Sequence, residues 1–179
     1  MAKHHLFLHI GPDIVEIDAE VRKRLAAVGV RTPDVSQDDL VRADLEIRRA
    51  HKGADLKRKD VEGAWAKVCR RTFRARSDAF LSQPGFFAAD ADQAALAMDG
   101  LAGLKVHLVM TREGQAELPV AWTRLVKPER IHAVEPVLSS ADFAARMAQL
   151  ALSEEKVRLD KVLLKVRRRR KQVKDQLAA

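Results

Sequence analysis

Residues 6–16, Leu-Phe-Leu-His-Ile-Gly-Pro-Asp-Ile-Val-Glu, have the outline of a buried strand that turns into a helix. In an α/β protein such a turn offers bare backbone N–H groups to a phosphate or sulfate. Anion-binding turns also use Lys and Ser or Thr hydroxyls, and none of these lies between Gly11 and Asp18. Pro12 has no N–H to donate. Asp13 and Glu16 have the spacing of a capping box, whose carboxylates occupy the donors that a phosphate would use. Each such carboxylate stabilises a helix start by about 0.3–1 kcal/mol and repels an incoming anion. The stretch reads as an ordinary strand–turn–helix or as a disabled anion site, and these residues alone favour the first.

Other reactive side chains have plainer readings. His9, His107 and His132 fall near strand ends, where one sheet edge could gather them. No His-x-x-x-His spacing or Cys pair accompanies them, so they read as packed or edge histidines and no metal site is expected. His4 and His5 read as exposed terminal residues. Asp90 and Asp92 flank a helix start and suit capping. Cys69 is the sole cysteine, which excludes an internal disulfide and fits a reducing compartment. Its helical setting suggests an inert, packed thiol. Trp65 and Trp122 fall on apolar helix faces and are expected in the core.

Strands and helices alternate in the elements that must position these groups. Strands are expected at 5–10, 78–82, 104–110 and 130–134. Helices are expected at 13–27, 38–52, 59–74 and 91–98, with another at 115–126 interrupted at Pro119. Leu40, Leu45 and Ile47 are the expected contacts of the second helix; Val61, Trp65, Val68 and Phe73 are those of the third. Ser139 or Ser140 caps a last helix that runs nearly to the end of the sequence, with Asp142 in its first turn. The fold class is α/β: a parallel sheet of about four strands flanked by helices on both faces in three layers, with a long basic C-terminal helix. Residues 1–137 form the α/β domain and 138–179 the helix.

Charge is concentrated in that helix. Residues 153–179 carry ten Lys or Arg against four acids, and the remainder of a chain of net charge +8 is nearly balanced. Phe143, Met147, Leu150 and Val157 form one apolar stripe. Leu159, Leu163, Val166, Val173 and Leu177 continue at spacings of four, three, seven and four. That is coiled-coil-like over about three heptads, with Arg170 in a seam position. Lys165 and the run Arg167, Arg168, Arg169, Arg170 and Lys171 are the candidate partner-binding residues, able to meet an acidic protein, nucleic acid or an anionic membrane surface. Aromatic residues make up 4% of the chain and Tyr is absent, which disfavours base stacking. A homodimer through the helix would set Arg170 against its twin. No apolar run approaches the ~20 residues of a membrane span, no signal-peptide h-region is evident, and a cytoplasmic location is expected.

The chain also resembles the P-loop sulfotransferase-like family of the actinobacterial type. Residues 6–11 resemble its first strand, and Pro12 matches the first residue of the Pro-Lys-Thr-Gly-Thr-Thr loop that cradles the 5′-phosphosulfate of PAPS. The rest of that loop is absent. Gly63-Ala64-Trp65 and Phe80-Leu81-Ser82 are similar to family segments. So is the block from Val106 to Glu113, followed by Leu118-Pro119-Val120-Ala121-Trp122. The likeness spans roughly the first 135 residues. It implies that Arg112 and Ser82 stand where the family contacts the 3′-phosphate of PAPS. With acids in place of the loop Lys, PAPS binding is expected to be lost or very weak. The expected function is that of a catalytically degenerate sulfotransferase-like protein, without cofactor, that binds an acidic or helical partner through its tail. A divergent PAPS-dependent sulfotransferase and a nucleic-acid-associated protein are the alternatives.

Overall fold

The computed structural model describes residues 4–11, 17–111, 119–134 and 139–178. Its centre is a five-stranded parallel sheet in the order β2-β3-β1-β4-β5. The strands are β1 (His5–His9), β2 (Val30–Arg31), β3 (Asp78–Ser82), β4 (Lys105–Thr111) and β5 (Ile131–Val134). About four strands were expected. The additional one is β2, whose two residues between Gly29 and Thr32 are too few to show alternation. The helices are α1 (Ala19–Ala27), α2 (Gln37–Ile47), α3 (Arg58–Val61), α4 (Ala64–Arg74), α5 (Ala91–Asp99), α6 (Val120–Thr123) and α7 (Ser140–Ala178).

Strand alternation sorts side chains to two faces. Leu6, Leu8, Ala79, Leu81, Val106, Leu108 and Met110 pack with α2, α4, α5 and α6. Phe7, Phe80 and Val109 pack on the other face with Val21 and Leu25 of α1 and with Phe143, Ala144, Met147 and Ala151 of α7. The first turns of the long helix therefore share a core with the sheet. Trp65 and Trp122 are buried as expected, and their indole N–H groups donate to the carbonyls of Ala97 (3.1 Å) and Phe86 (2.7 Å). Cys69 is buried, and desolvation pushes its thiol up to about 12, so it is not a nucleophile at neutral pH. Asp90 caps α5 in a capping box with Gln93, and Asp92 lies in its first turn.

Several helix boundaries differ from expectation for local reasons. The helix expected at 59–74 is two, because Gly63 takes φ 83°, a left-handed conformation that ends one helix and caps the next. Phe73, an expected core contact, is 40% exposed, since the buried stripe of α4 runs through Ala64, Trp65, Val68, Cys69 and Thr72. The second helix ends at Ile47 rather than Lys52, and His51–Ala54 form a separate 3₁₀ turn. Of its expected contacts only Ile47 is fully buried; Ala43 is its partner, and Leu40 is partly buried. Asp18 caps α1, accepting from the Val21 N–H at 2.7 Å. Residues 13–16, expected in the same helix, lie outside the described residues.

α4 lacks a side-chain cap of its own. Glu46 on α2 supplies it, accepting from the N–H groups of Gly63 (2.8 Å) and Trp65 (2.7 Å). A charge-assisted bond of this type stabilises by about 1.5–3 kcal/mol. Glu46→Ala is expected to lower stability by about 1–2 kcal/mol in urea unfolding, a typical loss for a removed cap.

Candidate functional site

Three places hold the sequence-predicted residues. The first is the C-terminal edge of the sheet. The chain leaves β1 for the face that carries α1, whereas β3 and β4 lead into helices on the opposite face. Such a divergence opens a ligand crevice in α/β sheets. At this point His9 Nδ1 lies 2.9 Å from Ser82 Oγ, and His9 Nε2 lies 3.4 Å from Thr111 Oγ1. Beside Ser82 is a cavity of about 550 Å³ whose lining includes Arg22, Thr32 and Pro84. Arg22 Nη1 donates to Thr32 Oγ1 at 2.9 Å. Arg112 lies outside the described residues, as do Asp13 and Glu16, whose closure of the first turn was expected.

The second place is the opposite end of the same face. Because β1 and β4 pair in the register Phe7↔His107, His5 and His107 are diagonal neighbours. Their rings stack with centroids 4.9 Å apart and 18° between planes; His132 of β5 stacks on the other side of His107 at 5.3 Å and 14°. His107 Nδ1 and His132 Nε2 share a hydrogen bond of 3.0 Å. Glu154 of α7 reaches this column, its Oε2 3.8 Å from His107 Nε2 and 3.8 Å from Lys105 Nζ. One ligand atom each from His5, His107 and Glu154 lies within 4.8 Å of the other two.

This arrangement corrects two expectations. His5 is only 5% exposed rather than a free terminal residue. The histidines do not gather at one edge: His107 and His132 pair, and His9 stands at the far end of β1. The signals were present. Alternation about Phe7 points His5 and His9 to one face, and Glu154 falls seven residues after Met147 on the buried stripe of its helix.

Among the described residues two ring nitrogens, His5 Nδ1 and His107 Nε2, are buried without a hydrogen-bond partner. Leaving such a group unsatisfied costs about 1–3 kcal/mol. Burial, aided by the charges of His5, His132, Lys105 and Arg130, pushes His107 down to about 3. Burial lowers His5 and His132 as well; Glu154 opposes it at both, and Asp78 also opposes it at His5. The unfolded chain protonates its histidines near pH 6.5. It therefore binds more protons than the folded chain below that pH, and folding stability, fully present above pH 6.5, falls as the pH drops toward 3. The expected slope from His107 is on the order of 1 kcal/mol per pH unit. Urea unfolding across this range should show it, and His107→Gln should flatten it.

The third place is the far part of α7. Every residue from Leu159 to Leu177 is exposed, including Lys165, Arg167, Arg168, Arg169, Arg170 and Lys171. Leu159 (58% exposed), Leu163, Val166, Val173 and Leu177 (83%) have no cover among the described residues. At about 1.5 Å per residue this arm extends for roughly 28 Å. Its base is held by Arg158, which pairs with Glu155 and lies 4.0 Å from Asp78.

The fold thus defines a three-layer α/β protein with a parallel sheet and a projecting helix. No protein-family model matches the chain, and no curated protein matches it. A solved structure described as a de novo designed protein with a P-loop NTPase fold is similar over 87% of this chain and 95% of its own, with 13% sequence identity and a TM-score of 0.40. A likeness at that level supports no functional inference. No helix among the described residues is long and apolar enough to cross a membrane.

Proposed function

We propose that the chain is a binding module, a catalytically degenerate relative of the sulfotransferase-like proteins, that holds out α7 for an acidic helical protein partner in the cytoplasm. The observation that carries this reading is the arm: 19 consecutive exposed residues with an apolar row and a basic run. The relationship to sulfotransferases rests on the sequence likeness of residues 6–11 and 106–122 alone. The arm's apolar row has no cover among the described residues, and most helical stability in proteins comes from packing such a face, so a partner would stabilise it. Arg170 between Val166 and Val173 sets a cation in the seam, which suits a facing Glu and disfavours a second copy of the arm. The apolar row favours a protein over nucleic acid, whose phosphates offer it nothing. The basic run covers all sides of the helix rather than one face, which is poorly matched to a flat membrane surface.

The test is a titration, followed by fluorescence anisotropy, of a labelled amphipathic peptide with Leu at its seam positions and Glu flanking them. Binding is expected, and replacing Arg167, Arg168, Arg169, Arg170 and Lys171 by Gln should weaken it at least tenfold. Unchanged binding by that variant, or tighter binding of duplex DNA or anionic vesicles, would refute the proposal.

The cavity beside Ser82 favours a second reading, a divergent PAPS-dependent sulfotransferase in which Arg112 and Ser82 contact the nucleotide. Calorimetric titration with PAP separates the two: the binding-module reading expects no heat of binding, and micromolar affinity would support the enzyme.

A further inference from the structure

The histidine column at the N-terminal end of the sheet is unexplained by partner binding. His107 Nε2 and His5 Nδ1 are buried and unpartnered, and both belong to side chains more than nine-tenths buried. His107 Nδ1 is engaged with His132 Nε2. Where His107 donates that bond, its Nε2 is a bare lone pair opposite the Glu154 carboxylate at 3.8 Å. Two acceptors that face each other at this distance suit a cation between them, and Lys105 Nζ, 3.8 Å from the same Glu154 oxygen, meets only the carboxylate. A hydrogen bond from an outer group to the second ring nitrogen also fixes the tautomer of a metal-binding His.

We propose that His5, His107 and Glu154 form a site for a divalent transition-metal ion, zinc by preference, that fastens α7 to the sheet. Two imidazoles and a carboxylate are a donor set that zinc accepts, with water completing the tetrahedron. Zinc bonds of about 2.0–2.1 Å place ligand atoms about 3.4 Å apart. The three donors, within 4.8 Å of one another, would close by an ångström or so. Side-chain rotation of His5 and a rotamer change of Glu154 on its helix can supply that movement. Burial keeps both histidines in the neutral form that metals require. A cavity of about 190 Å³ lined by His5, Lys105, Glu154 and Arg158 gives an ion and its water a way in. Lys105 is the counter-cation of Glu154 without metal, and its side chain, 34% exposed, can swing outward when an ion takes its place.

The consequence is mechanical. Glu154 sits at the point where α7 leaves the body, five residues before the fully exposed arm begins. An ion there ties the arm's base to β1 and β4 and fixes its direction.

The test uses the full chain stripped of metal with a chelator and titrated with Zn²⁺ by calorimetry, with Co²⁺ as an optical probe. The proposal expects one ion per chain at micromolar affinity or tighter and the intense visible absorption of four-coordinate Co²⁺. Glu154→Gln, an isosteric change at a side chain 16% exposed, should weaken binding at least tenfold. His107→Gln should abolish it, and Lys105→Ala should strengthen it. His4→Ala and His51→Ala should leave it unchanged. Absence of binding, or binding that survives Glu154→Gln and is lost with His4 or His51, would overturn the assignment. Should His107→Gln fail to fold, the Glu154→Gln and Lys105→Ala results decide the matter in opposite directions.

Discussion

Phe143→Ala will lower folding stability by about 3–5 kcal/mol, the usual cost of truncating a fully buried Phe. The ring is 0% exposed and meets the rings of Phe80 and His9 edge-on at 5.6 Å and 5.3 Å. It is the first large side chain by which α7 grips the sheet. Leu163→Ala on the same helix is expected to change stability by less than about 0.5 kcal/mol, because that side chain is already 47% exposed. Urea unfolding measures both, with the midpoint moving for Phe143→Ala and staying put for Leu163→Ala. Comparable losses at the two positions would mean that the arm is packed rather than free. The contrast therefore reports on function as well as stability: one helix has an anchored root and an uncovered end.

Gly11→Ala should be destabilising by about 1–3 kcal/mol or more, the range for forcing atoms into a packed site. A Cβ at position 11 would collide with Thr111 Oγ1, approach the Thr111 backbone N to 2.6 Å and reach 2.9 Å from His9 Nε2. The backbone atom cannot step aside as a flexible side chain would. At an unhindered site the same substitution commonly stabilises by about 0.4–1 kcal/mol through the unfolded chain, so the sign is diagnostic. Gly53→Ala, where a Cβ meets nothing within 4 Å, is the matched control and should be neutral or slightly stabilising. The result matters because Gly11 follows β1 at the C-terminal edge of the sheet, beside Thr111 at the end of β4.

Much of this architecture could be read from the sequence. β1 and β4 carry the apolar runs Leu6-Phe7-Leu8 and Leu108-Val109-Met110, as expected of strands covered on both faces. The long helix declared itself through Phe143, Met147 and its capping Ser139, whose Oγ accepts from the Asp142 N–H at 3.1 Å. β2 was hidden by its brevity, and the break at Gly63 by a helical pattern that continues on both sides of it. The histidine column was legible only in part. Period-two alternation identifies the face of His5, but its approach to His107 needs the parallel register of β1 and β4, which no local pattern encodes. Glu154 on a buried stripe looked like one more charge in a charged tail. The cap that Glu46 gives to α4 was equally invisible, since it depends on how two helices pack.

Hydrogen exchange along residues 159–177 tests most directly whether the chain works through an uncovered arm. The account predicts rapid exchange there in the isolated protein, independent of protein concentration, and clear slowing when the acidic amphipathic peptide is added. Slow exchange in the chain alone, or no change on adding the peptide, would contradict it.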